Sequence, residues 1–378
     1  MAAVTVAIVD AKALGVVPFE GFIGATAAEK WASVKAFYRE PANSKRPVLQ
    51  MSNGFYDLSG TATEPLDIAG LKMVGPGSVG ETEFGYSCEV KVPATGLWSV
   101  PPAAAKDFRF KGIGFLGTSN GAFVAPSAQS AAEGDWKDLC IEDCGFKGFG
   151  PTFFQAALTR ANFQRWYVNS GTDTRAAWGG SDCTFFTNGV AFMSSAQQGA
   201  RQELINTGGL ANSAFGKIYL TPQGGRGLVV GNGRMGLTFD NFTSTDPNRT
   251  GLKQTQGAAI TVQGGEGVTF RSPVIFCANA GTTDGNPDPG DITVTGGHSH
   301  VFDAPVFVGN YSGVFAPNVS QACIYTTVSI TVIAPIAVGS RPKILREATA
   351  GLIDLVGAGT GDPRTPSGTS RGWKITTG

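Results

Sequence analysis

Carboxylates are the groups in this sequence whose spacing could do chemistry. Asp240, Arg271 and Asp303 fall at one position of a repeated stretch. Cleavage of a glycosidic bond uses two Asp or Glu side chains, ~5–5.5 Å apart for retention and ~6.5–9.5 Å for inversion. If the repeats stack as parallel coils, Asp240 and Asp303 lie two coils apart, ~9.6 Å, at the inverting limit. Arg271 between them argues the other way. A guanidinium holds both neighbours ionised and denies either the raised pKa that a general acid needs. The column therefore reads first as a structural charge ladder, and second as an acid pair with Asp240 and Asp303 as the catalytic residues. Glu142, Asp143 and Asp182 are further carboxylates with no partner that the sequence assigns.

Four aromatic residues, Trp136, Trp166, Tyr167 and Trp178, stand near polar turns and insertions, where a ring could stack on a sugar. They are the glycan-binding candidates, with burial in a core as the competing reading. The two histidines, His298 and His300, have only Asp291 as a conceivable third ligand, and Cys140 and Cys144 have no second Cys pair, so no metal is expected. No nucleophile elbow, P-loop, dinucleotide fingerprint or HExxH occurs, and no cofactor is expected. The Gly pairs at Gly224, Gly264 and Gly296 follow strand-like text with no helix after them, so they read as turns.

The elements that position these residues are written in the repeat from Ala259 to Gly339. Ile260 recurs as Ile292, Phe270 as Phe302 and Pro273 as Pro305, each 32 residues on, and Pro305 recurs as Pro335 after 30. The unit is strand text with Gly turns, which stacks as a parallel β-solenoid. In that register Phe239, Phe270 and Phe302 form a column of stacked rings with Val332 below. Strict alternation from the Phe column also places Val274, Val306 and Ile336 inward, then Phe276, Val308 and Val338, and leaves Ile275, Phe307 and Ala337 outward. His300 falls under Val268 in a core column, and His298 under Glu266 at a turn.

Along the chain, residues 1–24 read as an arm or attachment segment and 25–46 as a helix and linker. The helix spans Ala25 to Arg39, carries Trp31, Val34 and Phe37 at helical spacing, and is stopped by Pro41. It would cap the open end of the coils, whose strand edges otherwise invite pairing. Coils then run over 47–358, opening with strands at Val48–Met51, Tyr56–Leu58, Leu66–Ile68 and Leu71–Val74. Ala196 to Gly216 reads as an inserted loop or short helix. Residues 359–378 form a Pro/Gly/Ser/Thr tail with a late strand candidate at Trp373–Thr377.

A helix followed by NGFYDL and GLKMVGPGSVG, with FRFKGIGFLG and WKDLCIEDCGFKGFG further on, resembles the pectate-lyase-like right-handed parallel β-helices of bacteriophage tailspikes and minor tail proteins. The resemblance covers most of Pro47 to Gly357 and rests on turn wording. It implies an all-β solenoid of roughly ten coils, about 50 Å long, carried on a virion and made in the host cytoplasm. It further implies a homotrimer, virion tail or capsid proteins as partners of the arm, and binding of a host surface polysaccharide. A glycan depolymerase on the same scaffold is the alternative.

Composition fits this reading. The 378 residues include 53 Gly and 25 Phe, and only 15% are charged. The 29 basic and 29 acidic residues balance and are dispersed, so no basic patch points to nucleic acid and no polybasic run to a membrane. The opening MAAVTVAIVDAKALG does not read as a signal peptide, no apolar run is long enough for a spanning helix, and six cysteines in this length do not make a disulfide scaffold.

Overall fold

The computed structural model describes residues 15–40, 47–65, 70–78, 85–99, 105–119, 121–125, 136–150, 153–172, 175–185, 191–196, 203–222, 226–231, 235–244, 258–276, 290–308, 322–338, 344–357 and 373–377. They fall into two compact units, the first from Met1–Gly171 with Cys183–Ala191, the second from Thr172–Asp182 with Phe192–Gly378. Each unit is a parallel β-solenoid. Short strands stack on equivalent strands of the next coil, and the ladders between them are parallel.

In the first unit one face stacks Val16–Pro18, Val48–Gln50, Lys72–Val74, Arg109–Lys111, Cys140–Lys147, Asn162–Thr172 and Thr184–Phe185. Stacking thus begins at Val16, ahead of the helix and inside the stretch that reads as an arm. In the second unit the equivalent face stacks Ala214–Gly216, Thr238–Asp240, Thr269–Arg271, His300–Asp303, Ile330–Ile333 and Ile353–Val356. The inward column here is Phe215, Phe239, Phe270, Phe302 and Val332. Its rings lie 4.6, 4.6 and 5.2 Å apart, within 14° of parallel, and each pair contributes ~0.5–1.5 kcal/mol beyond burial.

The helix forms at Ala27–Arg39 with a capping box: the Thr26 hydroxyl accepts the Glu29 amide, and the Glu29 carboxylate accepts the amides of Ala25 and Thr26. These bonds satisfy donors that the first turn would leave orphaned. Trp31, Val34 and Tyr38 are buried; Trp31 meets Trp98 edge-on at 5.9 Å, and the Tyr38 hydroxyl donates to Pro47 O. The helix therefore lies with its apolar side on the first coils.

Two further expectations change. Ala196–Gly216 is not a loop or helix where it is described: Glu203–Ala211 and Ala214–Gly216 are coil strands. In the tail the expected late strand forms, as Lys374–Thr377 beside Ile344–Glu347, and Trp373 packs on Phe307 at 6.1 Å and donates to Pro335 O. The strand expected at Leu66–Ile68 lies outside the described residues.

The second change concerns facing. The register Val274, Val306, Ile336 is correct, but that column points outward, as does Phe276, Val308, Val338. Ile275 and Phe307 are fully buried, whereas Phe276, Ile336 and Val338 are 37, 48 and 49% exposed. The cause is a corner residue in the left-handed region, Ser272, Ala304 or Ala334, with φ of 49, 47 and 42°. Ser272 follows outward Arg271 and is itself exposed, so two successive residues face out and the alternation shifts by one before Pro273 turns in.

Candidate functional site

An open cleft of about 490 Å³ lies on the described surface of the first unit. Its walls are Gly70, Lys72, Asp107, Arg109, Asp138 and Cys140, over Phe108. Strand alternation builds it. Met73, Phe110 and Ile141 point into the core, so Lys72, Arg109 and Cys140 stand outward in one register column, followed by Asn162 and Thr184. The next outward column holds Lys111, Glu142 and Gln164. Asp107 and Asp138 occupy the corner before each strand, both at φ 57°, and each accepts this backbone more easily than most residues because a short polar side chain stabilises it locally.

The charges are paired. Glu142 receives Lys111 Nζ and an Arg109 guanidinium nitrogen, each at 2.6 Å. Those two cations, Lys111 first, hold its carboxyl below the ordinary value against a smaller desolvation effect. Arg160 grips Asp138 through two bonds of 2.7 and 2.8 Å and lowers its pKa likewise. Burial pushes the Cys140 thiol up, so it is a protonated, weakly nucleophilic group. Glu142 and Asp138 are thus fixed acceptors rather than proton donors.

Of the residues singled out from sequence, Asp240, Arg271 and Asp303 do stack on successive coils. Arg271 donates to Asp240 at 3.2 Å, with 59% of its own side chain exposed. Trp136, Trp166 and Trp178 are 0, 2 and 1% exposed, so they offer no face to a sugar: each sits at an inward-facing place of its strand, and only Tyr167 of the four keeps partial exposure. His300 is buried beneath Val268, with Nε2 3.0 Å from Gly296 O, and no group of three or more metal-ligating side chains forms among the described residues. Asp143 does have partners, Ser78 and Arg165.

Lys72, Asp107, Arg109 and Asp138 were missed by the sequence reading, although a signal exists. KDFRFK at 106–111 and KDLCIE at 137–142 are one pattern written twice: a corner Asp, then outward polar residues alternating with inward apolar ones.

No protein-family model and no curated protein sequence matches the chain. Among solved structures it is similar to an alginate lyase from Paenibacillus sp. strain FPU-7, at 12% identity over 90% of this chain and 98% of that one, TM-score 0.41. It is similar to the Agl-KA catalytic domain at 13% identity, over 96 and 68% of the two chains, TM-score 0.45. Gene product 12 of bacteriophage phi29, in its pre-mature form, matches at 10% identity over 82 and 49%, TM-score 0.35. None of these likenesses bears on the chemistry of this chain's own residues.

Proposed function

We propose that this protein is a glycan-binding β-solenoid of the tailspike kind, which recognises a host surface polysaccharide through the Lys72–Arg109–Asp138 cleft. The observation that carries this reading is the cleft's charge inventory. Fixed ammonium, guanidinium and carboxylate groups line an open concavity, and such groups orient hydroxyls and sugar carboxylates without being consumed. With Glu142 and Asp138 held ionised, binding is the better-supported task. In the full reading, chains assemble as a trimer through the outward apolar columns of the second unit, and residues ahead of Val16 join other virion proteins.

The test is retardation in native gels containing candidate host polysaccharides, with Arg109→Ala beside the unmutated protein. Arg109→Ala is expected to weaken retention, and added salt to weaken it further; retention indifferent to both would discard the cleft. A second reading, depolymerisation, draws on Asp107 and Asp138, which occupy equivalent corners of adjacent coils, ~4.8 Å apart in backbone spacing. In that case Asp138, kept ionised by Arg160, is the nucleophile and Asp107 its partner carboxylate. New reducing ends that vanish in Asp107→Asn would favour it.

A further inference from the structure

A second outward face of the first unit presents a row of rings. Gly54–Asp57 pairs with Cys88–Lys91, which pairs with Gly114–Leu116, then with the end of Cys140–Lys147 and then with Asn162–Thr172. One outward column in this register reads Phe55, Glu89, Gly114, Gly145, Tyr167. Phe55 is 56% exposed, and Tyr167 is partly so. Midway between them Tyr86, bridged to Ser78, stands over Gly114. A Cβ on Gly114 would lie 2.9 Å from Tyr86 Cβ and 3.1 Å from its ring, so a glycine is what admits the ring there.

The rings therefore fall on the first, third and fifth rungs of five, at intervals of ~9.6 Å. The groups beside them cancel in charge. Glu89 and Asp57 are offset by Lys91 and Lys147, and Lys91 is paired to Asp57 at 3.3 Å. A strip of zero net charge, with acceptors and donors flanking spaced rings, complements a ligand that is itself neutral, offers apolar ring faces, and carries hydroxyls at its edges.

We infer that Phe55, Tyr86 and Tyr167 form a track for an extended neutral polysaccharide, stacking alternate sugar rings while the flanking carboxylates and ammonium groups take the hydroxyls. The track adds a second contact to the glycan-binding reading but stands apart from the charged cleft. A polymer engaging spaced sites gains avidity without new chemistry.

Native gels cast with dextran, mannan or a soluble β-glucan test it in ~1 M salt, where a screening length of ~3 Å silences the cleft's exposed ionic contacts. At least one of these polymers should retard the protein. Phe55→Ala and Tyr167→Ala should each weaken retardation about tenfold. Tyr167→Phe, which keeps the ring, should restore it, and Met235→Ser, an exposed change in the second unit, should leave it untouched. A melting curve for Tyr167→Ala that matches the unmutated protein separates loss of the ring from loss of the fold. Retardation by none of the three polymers, or retardation that survives removal of both rings, overturns the track. Failure of Arg109→Ala to affect low-salt binding would count against the cleft alone.

Discussion

The same face of the coil is finished differently in the two units. In the first, the outward residues mix rings, carboxylates and ammonium groups around two glycines. In the second, Val274, Phe276, Val306, Val308, Ile336 and Val338 make two outward columns with no polar atom beyond the backbone. The inward residues are alike, with Phe115 and Phe146 in one unit and Ile275 and Phe307 in the other, all essentially buried. The core thus specifies the coil, and the outward columns are free to specify partners. A face that offers hydrogen bonds suits hydroxylated ligands, whereas a bare apolar one suits another apolar surface.

Placing a charge on either side of the second unit's sheet gives the largest expected effect. Phe307→Asp buries a carboxylate in the core and should cost more than ~4 kcal/mol, unfolding that unit. Phe276→Asp should leave melting unchanged while lowering the mass seen in light scattering, if chains associate through this face. An unmutated protein of monomeric mass would remove the apolar columns from the comparison.

Next in size are the tryptophans. Trp136→Ala should cost ~3–5 kcal/mol through the cavity it leaves, with any glycan binding of the remaining folded protein intact. Tyr167→Ala should show the reverse pattern, and calorimetry beside gel retardation reads both.

Acid should then separate the units, because both histidines lie in the second. Burial holds the His300 imidazole below its ordinary pKa, and Nδ1 has no hydrogen-bond partner among the described residues. An unfolded chain takes up that proton first. The stability that neutral His300 contributes is whole above ~6.5 and is lost as pH falls through that value toward the folded pKa. Hydrogen exchange between about pH 7 and 5 should show Val301 and Thr331 losing protection before the first unit does, and His300→Gln should abolish the difference.

Smallest is the ladder. Arg271→Ala should lower stability by ~1 kcal/mol or less, with the loss shrinking in high salt, since the pair is exposed. If Asp240→Asn and Asp303→Asn instead abolished polysaccharide cleavage without affecting melting, the second unit would hold an active site and the comparison would invert.

Much of this was legible where the sequence repeats evenly. The 30- to 32-residue period placed Asp240 over Arg271 and stacked three of the phenylalanines correctly. The first unit was harder, because Arg109 pairs with Cys140 but Cys140 pairs with Asn162, so consecutive coils differ in length and KDFRFK and KDLCIE do not sit on a fixed period. The facing error has another origin. Left-handed corners are recognisable when glycine or asparagine marks them, and Ser272, Ala304 and Ala334 carry no such mark. The choice between core and surface stayed open for the tryptophans because polar neighbours in sequence, such as Lys137 beside Trp136, point to the opposite side of the strand.

Those unmarked corners give the coil something like a reading frame. One residue at Ser272 separates a strand whose even-numbered member faces in from one whose odd-numbered member does. Inserting one residue after it would turn Ile275 toward water and Val274 and Phe276 toward the interior, without altering any other letter. Length changes are therefore tolerable between strands that are already far apart in the chain, as the unequal coils attest, and not at the one-residue corners. A lineage of such proteins can lengthen its coils freely while its corners stay fixed in count.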